Sequence, residues 1–334
     1  MNLSPRSWQA LLLPLLCAVL WGLPAERAQA AVTCTASMTN VDFGSVDLIG
    51  SSGFTTSATL NYTCTNGNNA RTFARVCFDI GDGVEGTGNF NPRVMKNSAG
   101  DSLQFQIYQP PGFSIVWGSE YNTITPTPYV LNLDLARGAA SSGSASMQGR
   151  LVAGQTTVPP GSYQGQFTAN HTAVTINESG TAAPTSCTGN SAGIFPFTVK
   201  ATVIKSCVVS ATPLDFGSVD GLPGASNVDK STTIAATCSR PTPYTIALTP
   251  SNNNAVGTGI MLPTIVGNTD TVAYRLYSDA NRTVPWGAQV GTNTLQRTGD
   301  GTAQALTVYG RVLGAAVNVR PDVYSDTVTV TVRY

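Results

Sequence analysis

Apolar and polar residues alternate with a period of two along much of this chain. No stretch past residue 30 sustains the 3.6-residue apolar period of an amphipathic helix. The clearest alternating runs are Phe73–Ile80, Leu103–Tyr108, Tyr129–Leu135, Ala305–Tyr309 and Thr327–Val332. Gly, Pro and Asn punctuate them at the spacing of short strands joined by turns. The pattern predicts an all-β protein built from small antiparallel sandwiches of immunoglobulin-like character.

The pattern also occurs twice. Cys34–Asp47 reads CTASMTNVDFGSVD and Cys207–Asp220 reads CVVSATPLDFGSVD, with the cysteine nine positions before the phenylalanine in both. A second cysteine follows Phe43 by 21 positions (Cys64) and Phe216 by 22 (Cys238). Tyr108 and Trp117 are matched by Tyr277 and Trp286, nine apart in each pair, and Gly149 to Tyr163 is matched by Gly310 to Tyr324, fourteen apart. Anchors in one order at one spacing indicate a tandem duplication. The expected organisation is a leader at 1–30, a first domain at 31–200 and a second at 201–334, each of ordinary domain size.

The leader reads as a secretory signal. Arg6 supplies the positive end, Trp8–Leu23 the apolar core, and Ala28-Gln29-Ala30 a small-x-small cleavage site. Export changes the meaning of the cysteines. Six remain after cleavage, which implies disulfides, with 15 possible connectivities. The repeat makes Cys34–Cys64 and Cys207–Cys238 equivalent and leaves Cys77–Cys187 as a bridge of the first domain alone. Charge adds little, since 11% of residues are charged and the formal net charge is zero. Nothing there points to nucleic acid or an acidic membrane as partner.

The copies differ in two places. Trp117 to Gly149 is eight residues longer than Trp286 to Gly310. After Tyr163 the first copy continues through a strand to Ile176, a small-residue loop to Gly193 containing Cys187, and a further strand over 194–204. The second has no counterpart to that last strand before Tyr334.

Cys207, Leu214-Asp-Phe-Gly217, Cys238, Tyr274–Tyr277, Trp286-Gly287, Tyr309-Gly310 and Tyr324–Tyr334 resemble the spore coat protein U domain family, which also builds archaic chaperone-usher pili of the Csu type. The resemblance spans the mature chain and is most specific in the second domain. It implies an immunoglobulin-like pilin fold lacking its last strand, with Val328, Val330 and Val332 at the edge of the groove this leaves. A periplasmic chaperone, then the N-terminal strand of an adjacent pilin, would fill that groove by β-augmentation, with an outer-membrane usher assembling the fibre. Only Ala31-Val32-Thr33 separate the expected cleavage site from Cys34, and three residues span about 10 Å, too little for a donor strand. The resemblance therefore implies a two-domain subunit that accepts a strand but gives none, a tip adhesin at the cell surface, with residues 194–204 completing the first domain from within.

On that reading, attachment to an abiotic or host surface falls to loops at the end of the first domain away from the second. Strand counting places 65–70, 109–121 and 177–193 there. Pro110, Pro111, Phe113, Ile115 and Val116 form an apolar loop of the kind that marks interaction sites. Tyr121, and Ala183 with Pro184, are further candidates, while Trp117 is expected in the core. A sugar-binding end would instead draw on Asn66, Asn68, Asn69, Trp117 and Tyr121. Catalytic chemistry is poorly supplied: His171 is the one histidine and reads as a strand residue. Asp79, Asp82 and Glu85 read as a hairpin turn without metal-ligand spacing, so no cofactor or metal is expected. A secreted coat or matrix protein is the alternative to an adhesin.

Overall fold

A computed structural model of the protein describes residues 31–334 except 87, 89, 120–126, 220–225 and 315–318. The leader and Tyr121 lie outside the described residues. The first copy contributes β1 (Val32–Met38), β2 (Val41–Val46), β3 (Thr55–Asn66), β4 (Thr72–Ile80), β5 (Arg93–Lys96), β6 (Ser102–Gln109), β7 (Ile115–Val116), β8 (Tyr129–Leu135), β9 (Ala140–Leu151), β10 (Gly161–Phe167), β11 (Thr172–Ser179), β12 (Asn190–Gly193) and β13 (Phe197–Val203). The second contributes β14 (Cys207–Ala211), β15 (Val228–Cys238), β16 (Pro243–Pro250), β17 (Thr258–Pro263), β18 (Val272–Tyr277), β19 (Leu295–Thr298), β20 (Ala303–Val312), β21 (Tyr324–Ser325) and β22 (Val328–Arg333). The fold is all-β, as the two-residue alternation requires.

In the first copy a large sheet of order β1-β3-β9-β6-β5-β10-β13-β2 faces a smaller one, β12-β11-β4-β8. Strands β1 and β2 are consecutive yet stand at opposite ends of that order, so the sheet curls until its edges meet on one stretch of chain. The second copy pairs the sheet β14-β15-β20-β18-β17-β21 with β19-β16-β22. Its buried apolar residues form a core of their own, separate from that of the first copy.

Duplicated anchors do duplicated work. Trp117 Nε1 donates to Phe78 O at 2.7 Å and Trp286 Nε1 to Ile246 O at 2.9 Å, each indole fully buried. Tyr163 Oη donates to Pro159 O at 2.7 Å and Tyr324 Oη to Arg320 O at 2.8 Å. The repeated glycine has a steric cause: a Cβ on Gly149 would lie 2.8 Å from Val41, and one on Gly310 2.5 Å from Leu214. Cys34 joins Cys64, Cys77 joins Cys187 and Cys207 joins Cys238.

Strand β13 carries the first core to Val203, beyond the boundary expected at 200. Ala201 and Val203 point into that core and are 4% and 3% exposed. Ile204, Lys205 and Ser206 then lead to β14. The run expected as one strand over 194–204 is broken at 194–196, where Pro196 has no N–H for a ladder.

Candidate functional site

The site with the clearest physical signature is a groove in the second copy. In the first copy β13 lies antiparallel to β10 and parallel to β2, with Val199 opposite Val41 and Val203 opposite Val46. Phe197, Val199, Ala201 and Val203 alternate inward and are buried. Phe195 and Phe197 add stacked rings beside Trp117, at 5.8 and 6.5 Å between centroids. The second copy repeats the walls of this arrangement. Strand β21 pairs with β17 as β10 pairs with β5, and β22 pairs with β16 as β11 pairs with β4. It also repeats Asp42–Asp47 residue for residue as Asp215–Asp220.

Yet 212–219 belongs to no strand, and among the described residues none runs between it and β21. The difference is measurable at one position of the shared motif: Val46 is 0% exposed, whereas Val219 is 36% exposed. A cleft of about 380 Å³ runs between the walls, lined by Leu214, Phe216, Leu248, Tyr274, Val328 and Val330. A second cleft adjoins it at Val219, Val272, Val312 and Val319. Val332 pairs with Ile246 and packs against the core outside the cleft lining.

Two carboxylates flank the groove. Asp326 accepts from Tyr274 Oη at 2.6 Å, and burial together with this negative neighbour raises the phenol far above its usual range. Asp322 accepts from Val323 N (2.7 Å), Thr264 Oγ1 (2.8 Å), Asn268 Nδ2 (2.8 Å) and Ile265 N (3.0 Å). Burial pushes its pKa up, but these bonds outweigh it and hold the carboxyl well below its ordinary 3.8. A depressed folded pKa stabilises fully above the unfolded value and is lost as pH falls through the folded one. Asp322→Asn is therefore expected to lower the melting temperature above about pH 5, and the gap should close only as pH falls well below 3.8 through the depressed folded pKa. A pH series of thermal melts checks this, and equal melting at pH 6 would remove any role for the cap.

The end of the first copy away from the second is set by register. Thr65 faces Ala140, Thr72 faces Leu135 and Phe73 faces Ser179. The loops 67–71, 136–139 and 180–189 therefore meet there. Asn66, 1% exposed, ties 67–71 to the 136–139 connection by donating Nδ2 to Ala70 O, Leu135 O and Ala136 O. Glu178 ties the first residue of β1 to the same end, accepting from Val32 N at 2.9 Å and Asn68 Nδ2 at 3.2 Å. Arg71 and Asp134 form an exposed bidentate pair on it, and Arg71 holds the Asp134 carboxyl below its ordinary range.

The apolar loop does not share that end. Tyr108 faces Gln148, and the turn after Gln109 leaves the sheet about eight residues before Ala140, roughly 25 Å short of the far end. The reason is that β9 runs on past β6 with only β3 for company. Phe113 lies back on the sheet, edge-on to Tyr108 at 5.5 Å with the Arg150 guanidinium 4.0 Å above its ring. Val116 is half-buried opposite Tyr108, and Pro110 is half-buried. Pro111 is exposed and Ile115 is 43% exposed. Ala183, exposed, and Pro184, half-buried, do lie on the far-end loop that Cys187 ties to Cys77. Among the described residues the far-end loops carry no exposed large apolar side chain; those of this copy are Val84, Ile115, Ile194 and Ile204.

Interior polar groups went partly unread. Arg93 is 0% exposed and donates to Gly81 O and Trp117 O, both at 2.7 Å, and to Gln106 Oε1. Burial pulls its pKa down to about 9. Its inward place in Arg93-Val-Met-Lys was the available signal. Asp82, expected in a hairpin turn, lies instead on a connection between sheets, since β4 and β5 belong to different ones; it is 8% exposed, accepts from Gly88 N at 2.6 Å and lies 3.2 Å from His171 Nδ1. His171 ends a 3₁₀ turn, Ala169–His171, rather than sitting within a strand. Among the described residues no three His, Cys, Asp or Glu side chains gather as metal ligands.

Three solved structures align with much of the chain at low identity. The CsuC-CsuE chaperone-tip adhesion subunit complex from the archaic chaperone-usher Csu pili of Acinetobacter baumannii is 17% identical, with 90% of this chain and 100% of that chain covered and a TM-score of 0.48. The CupB6 tip adhesin from Pseudomonas aeruginosa is 13% identical, covering 91% and 95%, with a TM-score of 0.35. The PapG lectin domain from E. coli is 13% identical over 52% of this chain and 99% of that chain, with a TM-score of 0.23. No curated protein matches the chain in sequence. The model of the Spore Coat Protein U domain matches residues 22–170 and 194–331, one segment for each copy of the repeat. With most of its length covered by these two matched segments, the chain belongs to the Spore Coat Protein U domain family.

Proposed function

We propose that this protein is the tip adhesin of a chaperone-usher pilus. Its second domain is an incomplete pilin filled first by a periplasmic chaperone and then by the N-terminal strand of the adjacent pilin. Its first domain, made self-sufficient by β13, attaches the fibre to a surface and so promotes biofilm formation. The observation that carries this reading is the shared Asp-Phe-Gly-Ser-Val run, which pairs with β13 as part of β2 and buries Val46 in one copy, and in the other belongs to no strand and leaves Val219 36% exposed beside an apolar cleft. An unpaired edge over an exposed core is an aggregation hazard until a strand covers it. If cleavage follows Ala30, the mature chain starts one residue before β1, which is already committed to its own sheet through Cys34 and Cys64. That supports a subunit that accepts a strand without donating one, exported to the periplasm and displayed at the cell surface after passage through the usher.

The composition of the far end favours a second reading of the attachment surface. Its described loops present Asn68, Asn69, Arg71 and Arg137 rather than aliphatic side chains, which suits hydrogen bonding to a polar target such as a host glycan. Co-expression of residues 31–334 with and without the chaperone tests the main proposal. The expected result is recovery only as a one-to-one complex, abolished by deleting Thr327–Tyr334. A stable soluble monomer would favour a self-contained coat or matrix protein instead. Binding of the complex to glycan arrays and to apolar beads then separates the two surfaces.

A further inference from the structure

The chain contains one finished junction of the kind that donor-strand assembly requires. Strand β13 runs parallel to β2 and ends at Val203, and after three linking residues Cys207 opens β14. The family match to the second copy begins at residue 194, ahead of this strand. The strand that fills the first copy thus occupies the position of an N-terminal strand of the second. The body of the second copy lies at the end where β13 emerges: Ser206 Oγ donates to Asp47 Oδ2 at 2.9 Å, and a Cβ on Gly301 would lie 2.5 Å from Thr156 O.

Transferred onto the second copy, this geometry locates a partner. A strand parallel to 214–219 enters beside Leu214, the counterpart of Val41, and leaves beside Val219, next to 319–323 and the turn between β17 and β18. Three linking residues reach about 10 Å, so the folded body behind the strand must lie against that end. Here the copies diverge. In the first, the turn between β5 and β6 is Asn97-Ser-Ala-Gly-Asp101. In the second it is the longer Thr264-Ile-Val-Gly-Asn-Thr-Asp-Thr271, on which Ile265 is 58% and Val266 100% exposed. Leu262 and Val323, 54% and 68% exposed, adjoin them, since Leu262 faces Ser325 and Thr264 N donates to Val323 O. Asp322 holds this tip through four hydrogen-bonding groups. A group of exposed apolar side chains on a braced turn marks an interaction surface.

We propose that Leu262, Ile265, Val266 and Val323 are the contact surface for the folded body of the subunit whose N-terminal strand fills the second copy's groove. The proposal rests on the donor-strand reading above. The test uses the full chain in pili sheared from producing cells, with a photo-crosslinking residue at Val266 and, as control, at Val284 on a different loop. The expected adduct joins position 266 to the neighbouring subunit beyond its first cysteine, with none from 284. Ile265→Asp with Val266→Asp should leave the yield of chaperone complex within twofold while lowering incorporation into pili at least tenfold. Unchanged incorporation, or adducts to the chaperone or usher alone, would overturn the contact while leaving the groove intact. Failure of the parent chain to form a chaperone complex would instead remove the donor-strand reading and this proposal with it.

Discussion

A chain carrying Val199→Asp is expected to lose the first core and keep the second. Val199 is 0% exposed and sits between Gly165 of β10 and Val41 of β2, with no polar group across either ladder to receive a carboxylate. Burying an unpaired charge costs several kcal/mol, comparable to the roughly 5–15 kcal/mol that stabilises a whole domain. The effect goes beyond one side chain, because β13 alone joins β10 to β2 and Phe197, Ala201 and Val203 leave the core with it. Calorimetry and limited proteolysis of the chaperone complex check this. The first copy's transition should disappear, and a resistant fragment beginning near residue 204 should remain. A synthetic peptide of residues 194–206 added in excess should restore protection of the first copy, because its groove would then match that of the second. Two unchanged transitions would mean that β13 is dispensable, and the comparison between the copies would lose its basis.

Removing the first copy's extra bridge, by Cys77→Ser with Cys187→Ser, has the second large effect. The bridge spans 110 residues, for which the chain-entropy model gives about 5 kcal/mol. At roughly 2–4 °C per kcal/mol for a domain of this size, the first transition should fall by about 10–20 °C. The consequence is local as well. Cys187 is the buried anchor of the 180–189 loop, whose other ties include Asn177 Nδ2 to Ser186 O at 3.2 Å. Thermolysin should therefore cut the variant within 180–189 well before the parent, and binding through the far end should weaken while the chaperone complex forms as before. A shift under about 2 °C would show that packing alone holds the loop.

How legible all this was differs by level. Strand identity was readable because alternation along one strand follows from the pleat itself, as in Phe73–Ile80 or Leu103–Tyr108. Pairing of the two repeated disulfides was readable because duplication carries register with it: Cys34 faces Cys64 and Cys207 faces Cys238. The height of a loop above the sheet was not readable. Counting strands up and down put 109–121 beside 177–193, but β6 stops opposite Gln148 while β9 continues to Ala140, and strand length beyond a partner leaves no mark in alternation. Arg93 was missed because an inward charged residue in a short run looks like an exception until its carbonyl partners converge on it.

By itself, then, the amino-acid order determined the duplicated all-β architecture, the equivalent cysteines and the family. Tertiary structure alone decided the state of Asp-Phe-Gly-Ser-Val, five identical residues that form a paired strand at 42–46 and an unpaired wall at 215–219. A β-strand satisfies its backbone groups through a neighbour rather than through itself. Its local sequence therefore specifies readiness to pair, and only the presence of β13 on one side, with no such strand among the described residues on the other, determines whether the pairing exists.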